Sequence, residues 1–391
     1  MRAALTIASS DSSGGAGIQT DLKAIASLGV HLCSVITCVT AQNTQRVHSI
    51  FPLPVEEIEK QLESVLSDIN VSAAKTGMLY SPEIVRAVSK ALKKADFPVV
   101  VDPVMVATTK SLLSQEGLAE ALIKDILPFC ELVTPNRTEA EVLSGFRIEN
   151  ERDAESACER IHELGARNVL LKGGHLGEVP VDILFSEGIF QSFEGQRYLE
   201  DVHGSGCAFS AFITGNLALG MGLAESVRKS KRMITAGFFD SYEIGKGFRI
   251  VQSHWIEDRY LVLRELGSSV EDLKSFLPAE LVPEVGMNFG YALPFAIDPG
   301  DVVALKARIA KSHEGIYGAS CIDFGASEHI SRVILTAMRF DHRFRSALNV
   351  KFSEDILARF KDAGLGVAEF DRKEEPKGVS TMEWGTERAI L

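Results

Sequence analysis

Residues 5–23 read LTIASSDSSGGAGIQTDLK, and the fold follows from them. An apolar strand over residues 4–9 enters the turn Ser12-Ser13-Gly14-Gly15-Ala16-Gly17. An amphipathic helical run from Ile18 to Leu28 follows. The same alternation continues outward. SVITCVT (34–40) is a second strand, and VEEIEKQLESVL (55–66) is a helix with Ile58, Leu62, Val65 and Leu66 on one face. AAKTGM (73–78), PVVVDPVM (98–105), ELVTPN (131–136) and NVLLKGGH (168–175) are short apolar strands, each ending in Gly, Pro or a polar residue. Alternating strands and helices predict an α/β fold, a parallel sheet covered by helices on both faces. Ligands bind such sheets at the carboxyl ends of the strands, where most of this polar punctuation falls.

The chain has 391 residues, enough for two or three domains at roughly 150 residues each. Hydrophobic residues make up 46% and charged residues 24%, which excludes a disordered, collagen-like or coiled-coil chain. The formal net charge of −12 repels polyphosphate backbones, so nucleic acid is not expected as the main partner. The six cysteines form no C-x-x-C pair and are thinly spread, as in a reducing compartment. The N-terminal apolar run is too short for a signal peptide, and no stretch approaches the roughly 20 apolar residues that span a bilayer. A cytoplasmic protein without a membrane partner is expected.

Near Gly245-Lys246-Gly247 the pattern changes. A domain boundary is expected between about 245 and 265: a first domain over 1–250, a helical linker over 251–280, and a smaller α+β domain over 281–391.

Four polar clusters in the first half suggest phosphate chemistry. The Ser/Gly turn allows close backbone approach and leads into a helix start that favours negative charge, although a plain tight turn has the same sequence. Gly204-Ser205-Gly206-Cys207 opens a long helix, where successive N–H groups form an anion hole; a Gly-rich helix entry with a buried thiol is the simpler reading. Asn136 and Glu139 follow a strand and Pro135, and Asp102 ends another. Hard oxygen ligands beside a nucleotide suit Mg²⁺, while an N-cap and a first-turn acid explain Asn136 and Glu139 equally well. Together, at the strand ends of one sheet, the clusters favour phosphoryl transfer.

These stretches, with TAQNT, KTGM, TPNRTEAEVL and HGSGC, occur in an order that resembles the hydroxymethylpyrimidine/phosphomethylpyrimidine kinases of the ribokinase-like superfamily. The resemblance covers residues 1 to about 245. It implies a three-layer α/β/α sandwich, a homodimer, and two successive ATP- and Mg²⁺-dependent phosphorylations of 4-amino-5-hydroxymethyl-2-methylpyrimidine. It places the pyrimidine at Asp21, Gln42 and Met78, beside Gly15. It places nucleotide and Mg²⁺ at Asp102, Asn136, Glu139 and Lys172, with Asp102 and Glu139 as metal ligands. The Gly204–Cys207 loop receives the transferring group. Cys207 stands where many sugar kinases of the superfamily carry an Asp base, which leaves two roles open, base or anion-hole lining. Ser205 replaces the usual Thr. Pyridoxal kinases share much of the pattern.

After residue 280, EVGMNF, ARIAK, FGASEHISRVILTAM and Asp371-Arg372 resemble a thiamine-phosphate synthase domain. That resemblance implies coupling of hydroxymethylpyrimidine diphosphate to hydroxyethylthiazole phosphate, with Arg308 and His329 as functional residues and Asn288 a weaker candidate. A D-x-G-x-x-G-K-E motif common in that family is missing, so the domain reads as C-terminally shortened. The alternative is a module that binds thiamine or the thiazole without catalysis.

Overall fold

Strand β1 (Ala3–Asp11) sends alternate side chains to opposite faces of a sheet. Leu5 and Ile7 pack with Ile58, Leu62, Ile84 and Val88 from helices Val55–Leu66 and Pro82–Leu92. Thr6 faces the other way, toward helix Gly17–Ser27. Helix Ser205–Ala218 packs beside that helix; at Gly215 a Cβ would lie 2.6 Å from Leu28 Cδ1. The expected arrangement, helices on both faces of one sheet, is thus present.

A computed structural model describes the chain except residues 106–112, 174–179, 196–197, 199–200, 256–258, 313–314, 319–320, 377, 379 and 391. Gly174 and His175 of the LLKGGH stretch lie outside the described residues, as does the Arg372 side chain.

The sheet continues with β2 (His31–Gln42), β3 (Val47–Pro52), β4 (Val71–Thr76), β5 (Val99–Val101), β6 (Leu132–Val133), β7 (Val169–Leu171), β8 (Val181–Ser186) and β9 (Ile189–Glu194). Its order is β3-β2-β1-β4-β5-β6-β7-β8-β9. The strands from β2 to β7 in that order run parallel, whereas β3, β8 and β9 join as antiparallel edges. From β1 the chain goes to β2 on one side and later returns to β4 on the other. This switch point opens a crevice at the carboxyl ends of β1 and β4. Two short strands, β10 (Val202–His203) and β11 (Arg249–Ile250), pair beside it.

The chain divides into compact units Met1–Trp255 and Ile256–Leu391. The glycines at 245 and 247 belong to the first: the Gly247 N–H donates to Thr44 Oγ1 at 3.1 Å. In the second unit, β12 (Phe289–Ala292), β13 (Val302–Leu305), β14 (Ala310–Ser312), β15 (Gly315–Tyr317), β16 (Ile322–Phe324) and β17 (Ser346–Leu348) follow. Four of them form an antiparallel sheet, β16-β13-β12-β17, and β14 pairs with β15.

Of residues 251–280, expected as a helical linker, those from Arg259 onward pack into the second unit. Their helix Arg259–Phe276 buries Val262, Leu266 and Val270 against Val303, Leu305 and Ile309. An apolar stripe at i, i+4, i+8 needs a surface to cover, and β13 supplies it. Leu266→Ala is expected to cost the second unit about 2–5 kcal/mol. Calorimetry of the full chain should show that unit's transition moving down while the first unit's stays in place; an unmoved transition would restore the linker reading.

Candidate active site

Six strands of the first unit end on the same side and deliver the site. Asp11 ends β1, Gln42 ends β2, Met78 follows β4, Asp102 follows β5, Asn136 follows β6 and Lys172 follows β7. Asn136 and Lys172 form a parallel bridge just beyond their strands.

The Ser/Gly turn is built around Asp11. Its carboxylate accepts from the Ser13 and Ala16 N–H groups, both at 2.8 Å, and from the Ser13 hydroxyl. Burial opposes that charge, but these bonds and His203 hold the carboxyl below the usual range. Gly204 has φ +83°, and a Cβ there would sit 1.8 Å from the Gly15 carbonyl oxygen. A Cβ on Gly15 would sit 2.4 Å from His203 Cδ2. Both glycines are therefore required by close approach, and the two Gly-rich loops, distant in sequence, touch.

His203 was not anticipated. Its Nε2 lies 3.1 Å from Asp11 Oδ2 and 2.9 Å from the Gln42 amide, and its Nδ1 is buried without a partner. An ionised Asp11 accepts, so Nε2 carries the proton and Nδ1 the bare lone pair, the less costly group to leave unpaired. The Gln42 Nε2 approaches this same ring nitrogen, so Asp11 and the Gln42 amide meet at one edge of the imidazole and the rest of the amide is left for a ring edge.

Asp102 and Lys172 form the second focus. Lys172 Nζ donates to Asp102 Oδ1 at 3.0 Å, and Ser210 Oγ to Asp102 Oδ2 at 3.3 Å. Burial disfavours the Lys172 ammonium, but Asp102 and Glu139 outweigh it and raise its pKa. A Cβ on Gly206 would be 3.5 Å from Lys172 Nζ and 3.9 Å from Asp102 Oδ2, so the start of helix Ser205–Ala218 faces this pair. Asn136 and Glu139 close a reciprocal capping box on helix Arg137–Ser144. The structural reading of both residues is thus correct, and it does not exclude a role, since Glu139 also feels Asp102 and Lys172. Burial pushes the Glu139 carboxyl up to about 7, with Lys172 opposing and Asp102 adding.

Among the described residues no group of three or more His, Cys, Asp or Glu side chains is positioned to hold a metal. Mg²⁺ asks for less, one or two carboxylates with substrate phosphates and water, and Asp102 with Glu139 fits that donor set.

Cys207, in the first turn of the helix, is partly exposed. Burial of its sulfur pushes the thiol up to about 12, against the pull of Lys75. Met78 is buried with Cys38 and Leu113, as a wall residue would be. Asp21 departs from expectation. It has no accessible surface, and its oxygens are taken by Lys75 Nζ and Thr6 Oγ1, both at 2.6 Å. The side chain points into the protein, where both of its oxygens are engaged. Lys75, inside the quoted KTGM, passed unnoticed although a Lys in an apolar strand is itself a signal.

In the second unit the structure separates two residues that the sequence paired. β13 and β16 run antiparallel with Val303 opposite Phe324 and Leu305 opposite Ile322. Arg308 lies beyond Leu305, where its Nη1 donates to the Val285 carbonyl at 2.7 Å. His329 lies beyond Phe324, at the opposite end of the sheet, on an open cavity of about 640 Å³ shared with Arg332, Phe370 and Thr381. Asn288 shares Arg308's end: its side chain donates to the Leu305 carbonyl at 3.4 Å.

With this geometry in place, the comparisons are informative. A family model described as phosphomethylpyrimidine kinase matches residues 11–252, and one described as thiamine-phosphate synthase ThiN matches residues 265–391. The chain belongs to the phosphomethylpyrimidine kinase family. A thiamine-phosphate synthase domain of the ThiN type is fused behind the kinase domain. The bifunctional thiamine biosynthesis protein ThiDN of Methanocaldococcus jannaschii is 34% identical over 98% of this chain and 88% of its own. A hydroxymethylpyrimidine/phosphomethylpyrimidine kinase of Haemophilus influenzae is 40% identical over 65% of this chain and 97% of its own. Among solved structures, an ADP complex of Bacillus subtilis pyridoxal kinase aligns with TM-score 0.61 and 34% identity, covering 65% of this chain and 97% of that one. A phosphomethylpyrimidine kinase from Clostridium difficile aligns with TM-score 0.55 and 43% identity, covering 60% and 99%. The ribokinase-like expectation holds. Among the described residues no helix is long and apolar enough to cross a membrane.

Glu139 gives a pH signature. Its folded pKa exceeds the ordinary 4.5, so its stabilising contribution is complete below about 4.5 and is lost as pH rises through about 7. Ligand-free protein should lose stability across that window. Glu139→Gln, which keeps the capping box, should flatten the curve in denaturant titrations; an unchanged slope would assign the titration elsewhere.

Proposed function

We propose that the first unit transfers the γ-phosphoryl group of ATP to the hydroxymethyl group of 4-amino-5-hydroxymethyl-2-methylpyrimidine, and then a second phosphoryl group to the resulting monophosphate. The observation that carries this reading is the convergence of the Gly204–Cys207 helix start on the Gly15 turn and on the Lys172–Asp102 pair. N–H dipoles, a buried ammonium and carboxylates then surround one point where phosphoryl charge develops.

Gln42, oriented by His203, donates to the ring edge, and Met78 walls the ring. Lys172 neutralises nucleotide phosphate oxygens. Asp102 and Glu139 would hold Mg²⁺, which screens phosphate charge when bound. Cys207 stands in the first turn of the helix, and burial, which raises its thiol pKa, works against a standing thiolate. That favours a place in the wall of the anion hole over a base. The second transfer needs no base, because a phosphate monoester oxygen is already ionised.

The second unit would couple the diphosphate to hydroxyethylthiazole phosphate, as the ThiN domain and the full-length likeness to a bifunctional relative support. Supplying both precursors with ATP should give thiamine phosphate. Pyrimidine diphosphate accumulating alone would favour a binding module instead. Pyridoxal offered in competition should be the poorer substrate.

Cys207→Ala should lower kcat of the first phosphorylation about tenfold and leave the pyrimidine KM nearly unchanged, below the 10²–10⁴ loss of a removed general base. A larger loss would make Cys207 the base, and an unchanged rate would reduce it to loop packing. In the synthase reaction, Arg308→Ala and His329→Ala should have effects that multiply in the double variant, as expected for separated residues. Strong non-additivity in a double-mutant cycle would place both in one site.

A further inference from the structure

Lys75 is among the largest fully buried side chains of the described residues, on a sheet face where a parallel strand is ordinarily apolar. Its Nζ makes a 2.6 Å ion pair with Asp21, and both side chains have 0% exposure. Burial disfavours the ammonium, yet Asp21 holds the Lys75 pKa above the ordinary value. Stability does not account for the pair: apolar residues of similar volume usually serve a core as well or better. Its connections do. Lys75 sits beside Thr6 in the register of β1 and β4, and Thr6 donates to the second Asp21 oxygen. Asp21 belongs to helix Gly17–Ser27. The remaining contact of Nζ is the Cys207 carbonyl, at 3.4 Å. One ammonium thus ties two central strands and one helix to the first turn of helix Ser205–Ala218.

That turn carries the N–H groups of the anion hole. The Ser210 hydroxyl lies within reach of the Cys207 and Gly206 carbonyls, both at 3.1 Å, and of Asp102, and its one proton serves one of them at a time. A helical carbonyl oxygen keeps a second lone pair beside its i+4 bond, so a donor beneath it limits rotation of the turn. We infer that Lys75 is a positioning residue for phosphoryl transfer, holding the Cys207 carbonyl so that the first turn stays aimed at the Lys172–Asp102 focus. This rests on the phosphotransfer reading of the site. Asp21 and Thr6 fix the ammonium from inside the core.

The test removes both charges together, Lys75→Met with Asp21→Leu, since a lone buried charge would itself unfold the core. The double variant should melt near the wild-type temperature and keep its pyrimidine KM within about twofold, while kcat falls about a hundredfold, the usual scale of a small misplacement at a reacting centre. Amide exchange in the peptide spanning residues 203–211 should accelerate without substrate. A kcat within about threefold of wild type, a loss appearing only in KM, or unchanged exchange would each overturn the assignment. Should the double variant not fold, Thr6→Val leaves both charges and loosens only the carboxylate; it should lower kcat in the same direction, and an unaltered kcat overturns the proposal. The exchange measurement needs no turnover. Wild-type protein unable to phosphorylate the pyrimidine would therefore reject the functional reading and leave the clamp to be judged separately.

Discussion

The first unit depends on backbone meeting backbone at Gly15 and Gly204. A Cβ on Gly204 would stand 1.8 Å from the Gly15 oxygen, closer than any atom pair tolerates. Only two bare backbones can bring the turn after β1 against the entry of helix Ser205–Ala218. The left-handed conformation at Gly204 serves the same approach. Everything polar nearby is arranged around this junction. Asp11 ties the turn, His203 fills the space beside Gly15, and Gln42 takes its orientation from His203.

Around the other end of that helix start lies a balanced set of buried charges. Lys172 faces Asp102 and feels Glu139; Lys75 faces Asp21. Neither lysine is free to wander, because the carboxylates opposing them are set by a strand end (Asp102), a helix cap (Glu139) and the body of helix Gly17–Ser27 (Asp21). Such an arrangement keeps positive charge where phosphate oxygens gather without asking the side chains to reorganise as the phosphoryl group moves.

The layered fold was legible because the period of the apolar runs switches cleanly between strand and helix, and because Gly and Pro mark the strand ends. Asp102, Asn136 and Glu139 could be read as candidates from their places just past those ends, while Lys172 came with the family resemblance. Asp21 could not: a polar residue on an amphipathic helix looks the same whether it faces ligand or an opposing ammonium, and only the register of β1 with β4 decides. Lys75 and His203 were hidden by their neighbours, one in a motif read for its Met, the other before a loop read for its glycines. The separation of Arg308 from His329 is a matter of strand direction, which a sequence of short runs does not encode. The helix Arg259–Phe276 looked like a connector because its charges are conspicuous and its apolar stripe is narrow.

That stripe bears on how the two halves were joined. A gene fusion that borrowed the synthase from residue 281 onward would have left Val303 and Leu305 facing solvent, a sticky sheet prone to association. A module begun at Arg259 instead carries its own cover.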